Sequence, residues 1–269
     1  MTTTTATDAD FVLDWQDWHR EHEVKRADAH GFLAITSLRW LDESPTRFDD
    51  VPGEWSTTEA EGIVVQLAEG ETLELDGTTV SGRHVFGHIP ERGGVTAGFG
   101  DAVVEVARRG GNDIVRPRHP DAHVRSAYRG TQTFAPDPRW QRPAVFEPFD
   151  TPRDVTVGAV VDGLQHVYAS PGELVVDLGE TEHRLTTFEG YVPGTLMVLF
   201  TDTTSGVTTY GANRSLTVPA PDAEGRTVVD FNRATNLPCA YTSFATCPLP
   251  PAGNDIPVAV EAGERTPTA

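Results

Sequence analysis

Residues 62–82, GIVVQLAEGETLELDGTTVSG, decide the fold class. Two short apolar runs, one around Ile63–Leu67 and one around Leu73–Leu75, are separated by turn residues. Asp76-Gly77 then supplies the dipeptide best suited to a two-residue hairpin. The same signature returns in AVVEVARRGGNDIVRPR (102–118), VTVGAVVDGLQHVYA (155–169) and GELVVDLGETEHRLTTF (172–188). Turn signals recurring about every 8 to 12 residues indicate antiparallel sandwich or barrel-like sheets rather than alternating strands and helices. The expected class is mainly β.

A helical cap is expected before these strands. Phe11, Trp15, Trp18 and His22 recur at helical spacing, Asp8 or Asp10 suits the first turn, and Gly31 is placed to end the helix. In GFLAITSLRWL (31–41) the spacing of Phe32, Ile35, Leu38 and Leu41 by threes predicts a second short helix. A Pro- and Arg-rich connection between Pro117 and Pro148 divides the strands into two groups. The expected organisation is a helical segment over 1–45, a first β-module over 46–120 and a second over 121–269, or one continuous domain. The tail is expected to be ordered to about Glu264.

Composition narrows the partners. With 21 basic and 40 acidic residues the formal net charge is −19, which repels phosphate backbones and argues against nucleic-acid binding. The polar start MTTTTATDAD lacks the features of a signal peptide, and no run reaches the ~20 apolar residues of a membrane span. A soluble, cytoplasmic protein is expected, and with it two reduced cysteines.

Against this acidic background RRGGNDIVRPRHPDAHVRSAYRG (108–130) is an island of positive charge. Arg116 and Arg118, two apart on a strand, would point the same way and suit a carboxylate or phosphate; equally, they would serve as ion-pair partners for neighbouring acids. His119, Asp121 and His123 have the spacing of a weak metal site, but the surrounding arginines disfavour a cation, and no metal is expected.

Two further segments concentrate polar groups. In TDTTSGVTTYGANRSL (201–216) a strand ends at Asp202 and returns with Tyr210 and Arg214, which sets up an Asp202–Arg214 ion pair at a hairpin rim, or simple turn closure by Asp202. In VVDFNRATNLPCAYTSFATCPLPPAGNDIPVAVEAGE (228–264) a strand ends at Asp230, after which periodicity is lost. The segment carries Asn232, Arg233, Asn236, Cys239, Tyr241, Cys247 and Asn254 between prolines 238, 248, 250 and 251, and reads as a stiff functional loop. Cys239 reads as a nucleophile, as half of a metal thiolate pair, or as packing. The chain carries no Walker loop, no G-x-S-x-G elbow, no H-E-x-x-H helix and no C-x-x-C pair.

These two segments together with GFLAITSLRWL resemble the bacterial and archaeal family catalogued as domain of unknown function 1684. The resemblance is most specific at D-F-N-R-A (Asp230–Ala234), N-x-P-C-A (Asn236–Ala240) and C-P-L-P-P (Cys247–Pro251). It implies where a site lies and assigns no chemistry.

The expectation is a pocket for a small anionic ligand, lined by Arg116, Arg118, Arg214 and Asp230 and covered by the 232–247 loop. Arg233, Asn236, Tyr210, Tyr241 and Asn254 would be further contacts. Any catalysis would be hydrolysis or isomerisation without a cofactor, with Asp230 or Asp202 as base and Asn232 or Cys239 at the reacting atom. The competing expectation is a non-catalytic β-module that binds protein or peptide.

Overall fold

The computed structural model describes residues 8–179 and 181–268. The chain forms two compact units. Of the described residues, the smaller contains Lys25–Tyr128 and Thr242–Thr246; the larger contains those up to Val24, those from Arg129 to Tyr241 and those from Cys247 onward.

In the smaller unit the described strands are β1 (Arg39–Trp40), β2 (Thr46–Phe48), β3 (Val51–Thr58), β4 (Gly62–Gln66), β5 (Leu73–Leu75), β6 (Thr78–Val80), β7 (Arg83–Gly87), β8 (Gly94–Phe99), β9 (Ala102–Arg109) and β10 (Asn112–Arg118). They form one antiparallel sheet in the order β1-β10-β9-β8-β5-β6 and another in the order β2-β3-β4-β7. Trp55, Ile63, Val65, Leu73, Val104, Val106 and Val115 make the core. The Asp76-Gly77 turn closes β5 on β6 with φ of 48° and 78°, the pair of left-handed residues that matches the twist of a tight hairpin.

Residues 32–41 depart from the expected helix. Only Phe32–Ala34 turns, as a single 3-10 turn. Ile35 then bridges to Arg118, the Thr36 N–H donates to Pro117 O at 3.0 Å, and β1 pairs with β10. The exposed edge of β10 offers backbone partners to β-branched Ile35 and Thr36, and this non-local pairing outweighs the threefold spacing of apolar residues.

The larger unit begins with α1 (Asp8–Arg26), whose residues to Val24 belong to it. Its acidic first turn and basic last turn both complement the helix dipole. Phe11 and Trp15 are buried, and Trp18 and His22 are half-buried along the same stripe. The described strands that follow are β11 (Gln141–Gly158), β12 (Gln165–Asp177), β13 (Glu182–Thr186), β14 (Phe188–Glu189), β15 (Leu196–Asp202), β16 (Arg214–Val218), β17 (Arg226–Asp230), β18 (Thr235–Asn236) and β19 (Asp255–Ile256). One sheet has the order β13-β12-β11-β17; the other has β14-β15-β16-β18, with β19 parallel to β15.

Burial alternates strictly along β12, so His166, Tyr168, Ser170, Leu174 and Val176 all face inward. Gly172 lies on the same face, where a Cβ would come within 2.3 Å of Glu147 O, so the β11–β12 pairing beside the register shift admits no side chain there. The core runs through Leu174, Val176, Val198, Phe200, Leu216 and Phe231. The molecule is therefore mainly antiparallel β with an N-terminal helix, as its turn spacing predicts. Order extends past Glu264, because Arg265 N–H donates to Gln132 O at 2.8 Å and Thr266 N–H to Thr208 O at 3.1 Å.

Candidate functional site

The segment after β17 is more regular than its lost periodicity suggests. Asp230 caps a 3-10 turn, Phe231–Arg233, by accepting from the Asn232 N–H at 3.0 Å, and a second 3-10 turn spans Pro238–Ala240. The two-residue strands β18 and β19 pair the segment to β16 and β15. Each segment is too short to show a period in sequence, but each satisfies backbone groups that would otherwise be buried without partners.

Asn232 is buried and works as a clamp. Its Oδ1 accepts from Asp137 N–H at 2.9 Å, while its Nδ2 donates to Asp137 O at 3.0 Å and to Asp230 Oδ1 at 2.8 Å. Its own carbonyl accepts from the Trp15 indole at 2.9 Å. Arg233 pairs with Asp14 of α1, lies 3.4 Å from Asp230 Oδ2, and stacks over Trp18.

The other expected site residues are placed in three groups. Arg214 and Asp202 meet as a pair, Nη2 to Oδ2 at 2.6 Å, buried in the unit instead of lying at a hairpin rim. Asp202 also accepts from Thr204 N–H at 2.7 Å, and Arg214 donates to the carbonyls of Val260 and Ala262. Burial pushes the Arg214 guanidinium below its ordinary value, and Asp202 opposes the shift. Asn254, also fully buried, ties β13 to β15 by accepting from Thr186 N–H at 2.8 Å and donating to Thr186 O and Leu199 O.

Arg116 and Arg118 belong to the smaller unit, whereas Arg214 and Asp230 belong to the larger. Arg116 meets Glu105 through Nε at 3.2 Å and Nη2 at 2.7 Å, and Arg118 meets the same carboxylate. They do share one strand face, and a β9 carboxylate occupies it. Burial would raise the Glu105 pKa, but Arg116 and then Arg118 and Arg109 overcome it and hold the group at about 2. Nearby, His119 Nδ1 accepts from Asp121 N–H at 3.1 Å. Among the described residues no group of three or more His, Cys, Asp or Glu is arranged to hold a metal ion.

A third group surrounds the proline-rich loop. Tyr210 Oη donates to Cys239 O at 2.9 Å, and Cys239 N–H donates to Cys247 Sγ at 3.3 Å. Asn236 N–H donates to Glu264 Oε2 at 2.6 Å, and the Tyr241 hydroxyl lies 2.7 Å from Thr131 Oγ1 and 3.4 Å from Glu264 Oε2. His22 of α1 reaches Glu264 Oε1 at 3.6 Å. As site residues, Glu264, His22 and Thr131 carry no signal in the sequence, because residues 22, 131 and 264 meet only through the fold.

A cleft of about 300 Å³ lies in the larger unit, lined by Arg139, Trp140, Arg142, Leu178, Ala259 and Glu261. The Asn232 clamp on Asp137 fixes the 3-10 turn Pro138–Trp140 that forms its wall, and Trp140 packs edge-on against Phe231 at 6.2 Å. Arg139 Nε is 2.9 Å from Asp137 Oδ2 and its guanidinium lies over Trp140; Arg142 Nε donates to Asp177 O at 2.7 Å. The buried Trp140 Nε1 has no hydrogen-bond partner among the described residues. Clefts in the smaller unit are acidic: one carries Asp42, Glu43, Glu59 and Asp113, another Asp49, Asp50 and Glu71. The sequence signal for the basic cleft is RWQR (139–142), which runs from the 3-10 turn into the start of β11; in sequence it reads as part of a connection.

The chain matches the family described as "Protein of unknown function (DUF1684)" over residues 126–265, just over half its length. The chain belongs to the DUF1684 family. The matched region takes in the Asn232 clamp, the thiol loop and the cleft. The chain is also similar to an uncharacterized protein of Haloarcula marismortui solved by solution NMR, at 33% identity over 55% of this chain and 80% of that one, with a TM-score of 0.45. No curated protein matches it. No described helix is long and apolar enough to cross a membrane.

Proposed function

We propose that this DUF1684 protein binds a small carboxylate- or phosphate-bearing molecule in the cleft between Arg139, Trp140 and Arg142. The observation that carries the reading is a cleft lined by Trp140 and two arginines, together with a Trp140 indole N–H that is buried and has no hydrogen-bond partner among the described residues. A buried unsatisfied donor costs about 1–3 kcal/mol, and a ligand oxygen would remove that cost. Arginine is the side chain best shaped to grip the same anion in a fork. The volume fits a small ligand.

Asp202 and Asp230, the expected bases, are engaged in an ion pair and a turn cap, so binding is proposed without a chemical step. A cytoplasmic setting belongs to the same proposal, as does the exclusion of nucleic acid by a net charge of −19.

The test is calorimetric titration with orthophosphate, acetate and citrate at low and moderate ionic strength. At least one anion should bind saturably, more weakly at higher salt. Arg139→Ala with Arg142→Ala should weaken that binding at least about tenfold. Equal binding by the double variant, or none by the wild type to any of the three anions, overturns the reading.

A further inference from the structure

A second site, independent of the cleft, is formed by Tyr210, Cys239 and Cys247. Both cysteines are thiols. They are held by different elements. Cys239 lies in the 3-10 turn Pro238–Ala240, which Tyr210 fixes through its bond to Cys239 O. Cys247 is anchored at the end of β11: its carbonyl accepts from Val160 N–H at 3.0 Å, Pro248 bridges to Ala159, and Asn213 Nδ2 donates to Pro248 O at 2.6 Å. The two residues nevertheless meet. Cys239 N–H lies 3.3 Å from Cys247 Sγ. Cys239 is half-buried and Cys247 buried, so Cys239 is the more exposed of the two.

We infer that Cys239 and Cys247 are a dithiol that exchanges with low-molecular-weight disulfides, Cys239 attacking first and Cys247 resolving. In the first step the Cys239 thiolate attacks one sulfur of a disulfide RSSR. A Cys239–SR bond forms, the S–S bond of the reagent breaks, and one RS⁻ leaves and takes up a proton. In the second step the Cys247 sulfur, losing its proton, attacks Cys239 Sγ. The Cys239–Cys247 bond forms and a second RS⁻ leaves and is protonated. The protein has lost two electrons and two protons, and RSSR has become two RSH.

The surroundings favour the first step. The neighbouring Cys247 thiol, more than any other group, holds the Cys239 thiol below its ordinary value against the opposing effect of burial. Tyr210 is pushed up, first by burial and then by Cys239, so its hydroxyl stays protonated as a donor. The prolines at 238 and 248 reduce the chain entropy lost on closing the loop between them.

The test treats the reduced full-length protein with excess oxidised glutathione, followed by alkylation and intact mass measurement. Wild type should lose two hydrogens, form no intermolecular disulfide and accept no alkyl groups, with peptide mapping locating a Cys239–Cys247 bond. Cys247→Ser should instead accumulate one glutathionyl group on Cys239, and Cys239→Ser should react at least about tenfold more slowly at Cys247. If wild type keeps both thiols alkylatable where dithiothreitol is oxidised, or forms only intermolecular disulfides, the inference fails. Because this readout involves no anion binding, it fails or stands apart from the cleft proposal.

Discussion

Asn232 holds the backbone of Asp137 from both sides, accepting from its N–H at 2.9 Å and donating to its carbonyl at 3.0 Å across 95 residues of sequence. The D-F-N-R-A element thereby positions the turn that carries Arg139 and Trp140, without its own side chains lining the cleft. Asn232→Ala should destabilise the larger unit by about 2–3 kcal/mol, since it leaves buried backbone groups unpaired. It should also weaken anion binding, whereas Asn232→Asp should restore neither, because a carboxylate cannot donate to Asp137 O. Urea denaturation and calorimetry on both variants measure this; unchanged binding in a folded Asn232→Ala would separate the clamp from the cleft.

The Asp202–Arg214 pair is a matter of stability. Both side chains are essentially withdrawn from water, with 0% and 1% exposed. Asp202→Asn should cost about 3–5 kcal/mol by leaving the guanidinium uncompensated, and Arg214→Met should cost a similar amount. The double variant Asp202→Leu/Arg214→Met should be closer to wild type than either single change. Additive losses in urea denaturation would show that the two groups do not act as a pair.

Glu105 predicts a pH window. Its folded pKa is about 2 against an ordinary 4.5, so its contribution is fully present above pH 4.5 and is lost as pH falls toward 2. The size is about 3 kcal/mol at most. Glu71 in the same unit is also lowered to about 2, chiefly by its hydrogen bond to Arg47, so the comparison must be with a variant and not with pH alone. Glu105→Gln should be less stable than wild type at pH 7 and converge with it near pH 2. Parallel stability curves from pH 7 to 2 would contradict this assignment.

What was legible in sequence was local. Asp76-Gly77 and Gly110-Gly111 adopt the positive φ values that their residue types favour, and each closes the hairpin expected of it. The Phe11–Trp15 stripe likewise gives α1, since helical spacing is set within a few residues. The threefold spacing of residues 32–41 points to a helix that does not form, because the deciding partner, the edge of β10, lies about 80 residues away and leaves no local trace. The site divides in the same way. Arg116 and Arg118 do share a face, but Glu105 opposite them comes from sheet register. Asp202 and Arg214 do pair, but nothing local shows that they are buried. The RWQR stretch looked like a connection because its role depends on Asn232, Phe231 and Glu261 arriving from the far end of the chain.

The central claim concerns one N–H group among the indoles of five tryptophans, and it can be observed directly. In an amide correlation spectrum of 15N-labelled protein, the Trp140 indole peak is the one lost in Trp140→Phe. During titration with an anion that binds, this peak should move downfield saturably as the donor gains an acceptor, and the movement should disappear in Arg142→Ala. An indole peak that stays still while the anion binds, or moves equally in Arg142→Ala, would contradict the account.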